Sequence, residues 1–204
     1  MNFIEPSKQP QRSAVVDMLS TSAAAIQACE VFADEIATTA ERIGEAFDRG
    51  NKLLVCGNGG SAADAQHLAG ELMGRFVPWA SARAPRAAIA LSADGAVLTG
   101  IANDYAFEDV FARQVRALAS EGDVLMGIST SGASPNVLNA FAAARPGVLT
   151  VALCGRGGRL GQLAHIALRV PADTTAQIQA AHIAIIHAMC LVLELRFAAP
   201  ATEP

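Results

Sequence analysis

Two helical segments carry side chains whose types and spacing suit chemistry. In "SAADAQHLAGEL", His67 and Glu71 are four residues apart, so they share one face of a helix. In "IQAAHIAIIHAM", Gln179 and His187 are eight residues apart and also share a face. Two imidazoles, a carboxylate and an amide oxygen can bind a divalent metal such as zinc, and Glu71 and His187 can equally act as general base and acid. Spacing alone does not choose between these roles.

Another histidine weakens any functional interpretation that rests on the last helix alone. His182 lies between Gln179 and His187 and could compete for the same face. A single histidine on an apolar helix is also more often a core residue than a ligand. The functional interpretation of His67 and Glu71 therefore depends on the loop that precedes them.

That loop is the sequence "GNGGS", residues 57 to 61, between an apolar run and the His67 segment. Its glycines allow a ligand to approach the backbone, and the following helix start offers free N–H groups. Gly57, Gly59 and Ala62 also satisfy the GxGxxG/A dinucleotide fingerprint. That fingerprint expects an acid about twenty residues later, where this chain has "VPWA", so a nicotinamide cofactor is disfavoured.

A second loop, "STSGASP", follows another apolar run and carries four hydroxyls: Ser129, Thr130, Ser131 and Ser134. Pro135 suits a first helical position, with Ser134 as the N-cap. Capping needs one hydroxyl, whereas four neutral donors at a helix start suit a phosphate monoester. Neither loop has the lysine of a triphosphate-binding motif. The sequence predicts a simple phosphate ester as ligand.

Apolar runs alternate with helical patterns along the rest of the chain. We expect an α/β fold, a three-layer αβα sandwich with a central parallel sheet and an N-terminal helical extension. Predicted strands cover 53–56, 87–91, 124–128, 149–153 and 166–170, and helices cover 62–75, 95–101, 107–119, 136–144 and 174–197. The predicted divisions are a flexible tail at 1–13, helices at 14–50 that pack in an oligomer, the main domain at 51–198, and a tail at 199–204.

Composition narrows the range of partners. Net charge is −4 and no basic block occurs, so nucleic acid is not an expected partner. Only 17% of residues are charged, which suggests that other subunits cover part of the surface.

The four cysteines form no CxxC pair, which favours buried free thiols in a reducing cytoplasm. We expect no signal peptide and no membrane partner, since neither an apolar leader nor an uninterrupted membrane-length apolar run is visible.

Four segments together resemble the sugar-phosphate isomerase (SIS) domain family, and within it the bacterial sedoheptulose-7-phosphate isomerases. They are "CGNGGSAADAQHLAGEL", "GIANDYAFEDVFARQV", "EGDVLMGISTSGASPNVL" and "IQAAHIAIIHAMCLVLE". The resemblance implies a flavodoxin-like SIS fold. The chain departs most from the family in its N-terminal extension and around Val77–Arg86.

The resemblance also implies roles for individual residues. The implied zinc ligands are His67, Glu71, Gln179 and His187, and Glu71 and His187 are the implied base and acid. The implied substrate-binding residues are Asn58, Gly59, Gly60, Ser61, Glu71, Asn103, Asp104, Ser129, Thr130, Ser131, Ser134 and Gln179.

The activity implied by the resemblance is conversion of sedoheptulose 7-phosphate to D-glycero-D-manno-heptose 7-phosphate through an enediol. This is the first step towards nucleotide-activated heptose. The resemblance further implies one zinc ion per subunit and a homotetramer with active sites at its interfaces. Two alternatives stay open: a non-catalytic SIS regulator resembling the DnaA-binding initiator factor, and an SIS isomerase of another sugar phosphate.

Overall fold

The computed structural model describes residues 9–77 and 83–198. The predicted tail at 199–204 and the first eight residues of the tail at 1–13 lie outside this part. In chain order the helices are α1 (Gln9–Gln27), α2 (Ala33–Asp48), α3 (Gly60–Met73), α4 (Gly95–Asp104), α5 (Val110–Leu118), α6 (Pro135–Ala142), α7 (Leu160–Leu163) and α8 (Thr175–Phe197). The strands are β1 (Leu53–Gly57), β2 (Ala88–Ala90), β3 (Val124–Ser129), β4 (Leu149–Cys154) and β5 (Ile166–Arg169).

The N-terminal helices begin earlier than predicted. Helix α1 starts at Gln9 rather than after residue 13, and Pro10 lies in its first turn, where a missing N–H costs little. A 3₁₀ segment, Ala28–Phe32, joins it to α2. At Phe32 the backbone leaves the helical region (φ −119°, ψ 34°), so the predicted helical stretch is divided in two.

All five strands are parallel, in the order β2-β1-β3-β4-β5, which confirms the predicted sheet. Each predicted strand is present, with ends that differ by at most one residue. This order reverses direction between β1 and β3, and ligands of open α/β sheets bind outside the carboxyl ends of the strands at such a point. Gly57 and Ser129 end these two strands at the same edge.

Alternate strand residues face two separate cores. Leu53 and Val55 pack on one side of the sheet with buried residues of α2, α3 and α8. Leu54 and Cys56 pack on the other side with α5 and α6. Helices therefore cover both faces, as the continuous apolar strands predict. All four cysteines are free and buried, as expected.

Two helical stretches, Pro10–Asp48 and Thr175–Phe197, are long and apolar enough to cross a membrane by length and composition alone. Half of the apolar window in the second stretch is buried inside the protein. A core helix of a water-soluble domain passes the same test, so these windows do not overturn the expectation that no membrane is involved. That expectation stays a prediction.

A buried ion pair lies at the opposite, amino-terminal edge of the sheet. The Asp123 carboxylate is 1% exposed and accepts from Lys52 Nζ at 2.6 Å. It also accepts from the backbone N–H groups of Lys52 and Ser120. Burial by itself raises the pKa of Asp123, but these hydrogen bonds and the lysine charge outweigh burial and lower it below its ordinary value. The pair ties the start of β1 to the start of β3.

Replacing Asp123 with Asn should lower the free energy of unfolding by about 3 kcal/mol at pH 7, because it leaves Lys52 without its buried partner. Since the folded-state pKa is depressed, the wild-type contribution is present above the unfolded pKa and disappears as pH falls through the folded pKa. Urea unfolding of both proteins between pH 7 and pH 2 should therefore show the difference shrinking below about pH 4. An equal difference at all pH values would contradict this account.

Candidate functional site

The first predicted loop forms a tight connection between β1 and α3. Gly59 has φ +56°, a left-handed conformation that favours glycine. The Ser61 N–H donates to the Asn58 carbonyl at 3.0 Å, which closes the turn. A Cβ atom on Gly60 would lie 2.4 Å from Gln179 Nε2, so the amide of Gln179 rests directly on this loop.

The second loop, residues 129–135, is called the serine loop below. It groups its hydroxyls as predicted, but Ser134 has a different role from the predicted one. Ser129 Oγ lies 3.1 Å from Ser134 Oγ and 3.5 Å from Ser131 Oγ. Pro135 occupies the first turn of α6 and Ser134 the N-cap position, yet the Ser134 side chain makes no capping hydrogen bond. Its hydroxyl instead lies with those of Ser129 and Ser131, which we call the serine group, and it remains available to a ligand.

A pair of amide–amide hydrogen bonds holds the two loops together. Asn58 Nδ2 donates to Asn136 Oδ1 at 2.8 Å, and Asn136 Nδ2 donates back to Asn58 Oδ1 at 2.8 Å. Asn136 is only 2% exposed. Sequence reasoning missed Asn136, because its partner lies 78 residues away and no local pattern links the two.

The two loops and the start of α8 enclose a pocket of about 290 Å³. Among the residues that the structure describes, no lysine or arginine lines it, so its polar groups are neutral hydroxyls, amides and backbone atoms. The lining residues are Asn58, Gly59, Gly60, Ser61, Ile128, Ser129, Thr130, Ser134, Thr175 and Gln179. Eight of these ten were predicted as substrate-binding residues.

Two turns further along, α3 and α8 place His67 between Glu71 and His187. His67 Nε2 lies 3.0 Å from His187 Nε2, although the residues are 120 positions apart. Glu71 Oε1 lies 3.4 Å from the same His67 nitrogen. The centroid of the Phe76 ring lies 5.6 Å from that of the His187 ring. We call His67, Glu71 and His187 the imidazole–carboxylate cluster.

Gln179 does not join this cluster within the chain. Its amide contacts Gly60 at the first loop, whereas His187 lies eight residues, or about 12 Å, further along the α8 axis. The structure thus places Gln179 at the pocket between the two loops. Its predicted role as a zinc ligand remains a prediction.

The expectation that His182 competes for the face of His187 is wrong. Five residues turn a helix by about 500°, so the two side chains point to different sides. His182 is fully buried and neither ring nitrogen has a hydrogen-bond partner among the described residues. Burial lowers the pKa of His182 to about 4, against a smaller opposing effect of the Cys154 backbone. It is a neutral core histidine.

The predicted Asn103–Asp104 pair lies outside the pocket. These residues end α4, are exposed, and hydrogen-bond to each other at 2.9 Å. Ser131 likewise is absent from the pocket lining, although it belongs to the serine group. Their substrate-binding roles stay predictions.

The cluster offers the donor types that zinc prefers, but it is not a ready-made metal site. Within residues 9–77 and 83–198, no three His, Cys, Asp or Glu side chains are arranged to hold a metal ion. The two imidazole nitrogens are 3.0 Å apart, close to the separation of about 3.3 Å between two nitrogen ligands of a tetrahedral zinc. Glu71, by contrast, lies within 4 Å of the imidazole of His67 but not of that of His187.

Comparisons with known proteins identify the family of the chain. The SIS domain family matches residues 19–155. Phosphoheptose isomerase 1 of Campylobacter jejuni is 49% identical over 174 residues, covering 84% of this chain and 92% of that protein.

Two solved structures extend the comparison to three dimensions. A phosphoheptose isomerase from Neisseria gonorrhoeae aligns with a TM-score of 0.84 and 41% identity, covering 91% of this chain and 99% of that one. A phosphoheptose isomerase from Francisella tularensis aligns with a TM-score of 0.81 and 35% identity, covering 94% of this chain and 100% of that one. By sequence and by fold, the chain belongs to the SIS domain family, among the phosphoheptose isomerases.

Proposed function

We propose that the protein is an aldose–ketose isomerase that converts sedoheptulose 7-phosphate to D-glycero-D-manno-heptose 7-phosphate. The observation that carries the proposal is the convergence of His67, Glu71 and His187 beside a pocket of neutral hydroxyl and amide donors. Family membership supports the same substrate class. A direct test is an isomerase assay of the purified chain with sedoheptulose 7-phosphate.

The two parts of the site suit the two ends of such a substrate. The serine loop lies at the N-terminus of α6, where backbone N–H groups and the helix dipole favour a phosphate. Gly60, at the pocket, and His67, in the cluster, are separated by about 10 Å of helix axis. An extended seven-carbon sugar phosphate can bridge this separation, with C7 at the serine loop and C1 and C2 at the cluster.

Glu71 and His187 divide the proton transfers in this mechanism. Glu71 takes a proton from C1 of the ketose, which forms an enediol, and returns a proton at C2. His187 protonates the C2 oxygen and accepts the proton of the C1 hydroxyl as the carbonyl moves. The pocket holds the phosphate end and so orients the reacting carbons.

We propose zinc as the cofactor, held by His67, Glu71 and His187 with Gln179 as the fourth ligand. The donor types and the short His67–His187 separation support this set, while Gln179 has to leave its contact with Gly60 to complete it. A bound zinc ion supplies Lewis-acid polarisation of the substrate oxygens. A carboxylate that holds a metal ion would be a weaker base, so the two roles proposed for Glu71 oppose each other.

We also propose that the protein works in the cytoplasm as a homotetramer with sites at subunit interfaces. The outer face of the N-terminal helices supports this, since Leu19 is 67% exposed and Val31 is 81% exposed. Asn103 and Asp104, which lie away from the pocket of their own chain, then become candidates to act at a neighbouring subunit's site. Analytical ultracentrifugation tests the tetramer.

A regulator without catalysis is the competing proposal, and the same isomerase assay separates the two. The presence of both Glu71 and His187 in one cluster favours the enzyme. An isomerase of a different sugar phosphate would turn over its own substrate faster than the heptulose ester in a side-by-side assay.

Replacing Glu71 with Gln should lower kcat by about 10²–10⁴-fold, because the amide cannot accept the C1 proton. Glu121→Gln is the matched control: Glu121 is exposed at the opposite edge of the sheet and should keep wild-type activity. The measurement is a coupled assay with sedoheptulose 7-phosphate. Near-normal activity of Glu71→Gln would refute the role given to this carboxylate.

Replacing Gly132 with Ala should raise KM for sedoheptulose 7-phosphate about tenfold. Gly132 has φ +63°, and a Cβ there would lie 2.4 Å from the Gly157 carbonyl oxygen, so the serine loop has to shift. Gly50→Ala is the control. Gly50 also has a left-handed backbone, with φ +81°, but a Cβ there would meet no atom within 4 Å. Equal KM values in the two variants would show that the loop conformation does not control substrate binding.

Calorimetric titration of metal-free protein with Zn²⁺ should show about one site per chain, and His67→Gln should weaken it at least tenfold. His165→Gln is the control, because the His165 ring is engaged with Thr150 outside the cluster. Identical zinc binding by the wild type and His67→Gln would show that the cluster is not the metal site.

A further inference from the structure

A buried arginine joins the two helices that carry the proposed catalytic residues. The Arg83 side chain is 3% exposed, and its Nε donates to Glu194 Oε2 of α8 at 2.7 Å. Its Nη2 donates to the Glu71 carbonyl at 2.8 Å, and its Nη1 donates to the Leu72 carbonyl at 2.8 Å. One guanidinium therefore contacts the backbone of Glu71 and a side chain of the helix that carries His187.

These contacts lie at the end of α3, where helix geometry leaves carbonyls unpaired. Glu71 and Leu72 are among the last four residues of α3, whose carbonyls have no partner within the helix. A cation at this end also matches the negative end of the helix dipole. Arg83 thus fixes the last turn of α3, which is the turn that carries Glu71.

Stability alone does not explain this pair. Glu194 is 2% exposed, and its Oε1 atom has no hydrogen-bond partner among the described residues. Buried ion pairs pay a large desolvation cost, and well-packed apolar residues often serve stability equally well. What the charged pair adds is direction, since the planar guanidinium holds its acceptors in one fixed arrangement.

We propose that Arg83 and Glu194 form a positioning clamp that sets the last turn of α3 against α8 and so places Glu71 opposite His187. The clamp acts through Glu71 and does not touch substrate. The proposal rests on the isomerase function proposed above. It assigns a role to Arg83, which belongs to the stretch of sequence in which the family resemblance is weakest.

The decisive variant replaces both partners, Arg83→Met with Glu194→Met, which removes the charges and keeps an apolar filling. We expect the variant to fold with a melting temperature moderately below that of the wild type, because the Glu71 and Leu72 carbonyls lose a donor, while kcat falls about 10–100-fold and KM changes less than about threefold. A small misplacement of catalytic groups is enough for such a loss, and the phosphate pocket lies at the other end of both helices. Wild-type kcat in this variant would overturn the clamp.

Two further variants distinguish loss of the clamp from general destabilisation of the fold. Arg83→Lys keeps the charge but cannot make the same set of directed bonds, so kcat should fall with little change in KM. Lys52→Met breaks the ion pair at the opposite edge of the sheet and should lower stability while kcat, measured below its melting temperature, stays normal. A similar loss of kcat in Lys52→Met would overturn the clamp by making the effect one of general destabilisation.

A crystal structure of the double variant tests the clamp without any activity. We expect the His67–His187 contact, 3.0 Å in the wild type, to be lost and the last turn of α3 to move relative to α8. An unchanged cluster would overturn the clamp and leave the proposed function intact. An inactive wild type would instead overturn the proposed function, and the clamp would still be judged by this structure.

Discussion

The packing of α3 along α8 in the same direction is the constraint on which the site depends. Gln179 meets Gly60 near the start of both helices, and His187 meets His67 two turns later. Buried aliphatic residues of both helices join one core beneath the sheet, so this alignment is fixed by burial of apolar surface. Any slip of one helix along the other would separate both contacts at once.

Because the helices run in the same direction, the site has two chemically different ends. The loop end offers neutral donors and helix N-termini, and within the described part of the chain no lysine or arginine lines its pocket. The far end groups titratable side chains, and there the buried Arg83–Glu194 pair joins the last turn of α3 to α8. A small ester with one phosphate and a reactive carbon at the opposite end matches this polarity better than a triphosphate, which calls for a cation beside its phosphates.

Much of this arrangement could be predicted from local sequence patterns. Alternation of apolar strands and helices predicted the parallel sheet, and the glycine and serine loops supply most of the residues that line the pocket at its edge. The four-residue spacing of His67 and Glu71 predicted their common face. These predictions were possible because strand burial, helix periodicity and loop chemistry each depend on residues that are close together in the sequence.

The remainder depends on pairs that are distant in sequence. Asn58 with Asn136, and Arg83 with Glu194, become visible only when the fold brings them together. Gln179 shares a helix face with His187, yet packing directs its amide to Gly60. The 3₁₀ segment at Ala28–Phe32 also escaped prediction, because the helical periodicity continues through it.

The most direct test of the central claim is a crystal structure of the Glu71→Gln variant with sedoheptulose 7-phosphate bound. The account predicts the phosphate among the hydroxyls of Ser129, Thr130 and Ser134, with C1 and C2 beside position 71 and His187. A sugar bound in the opposite direction, or a phosphate held away from the serine loop, would contradict it.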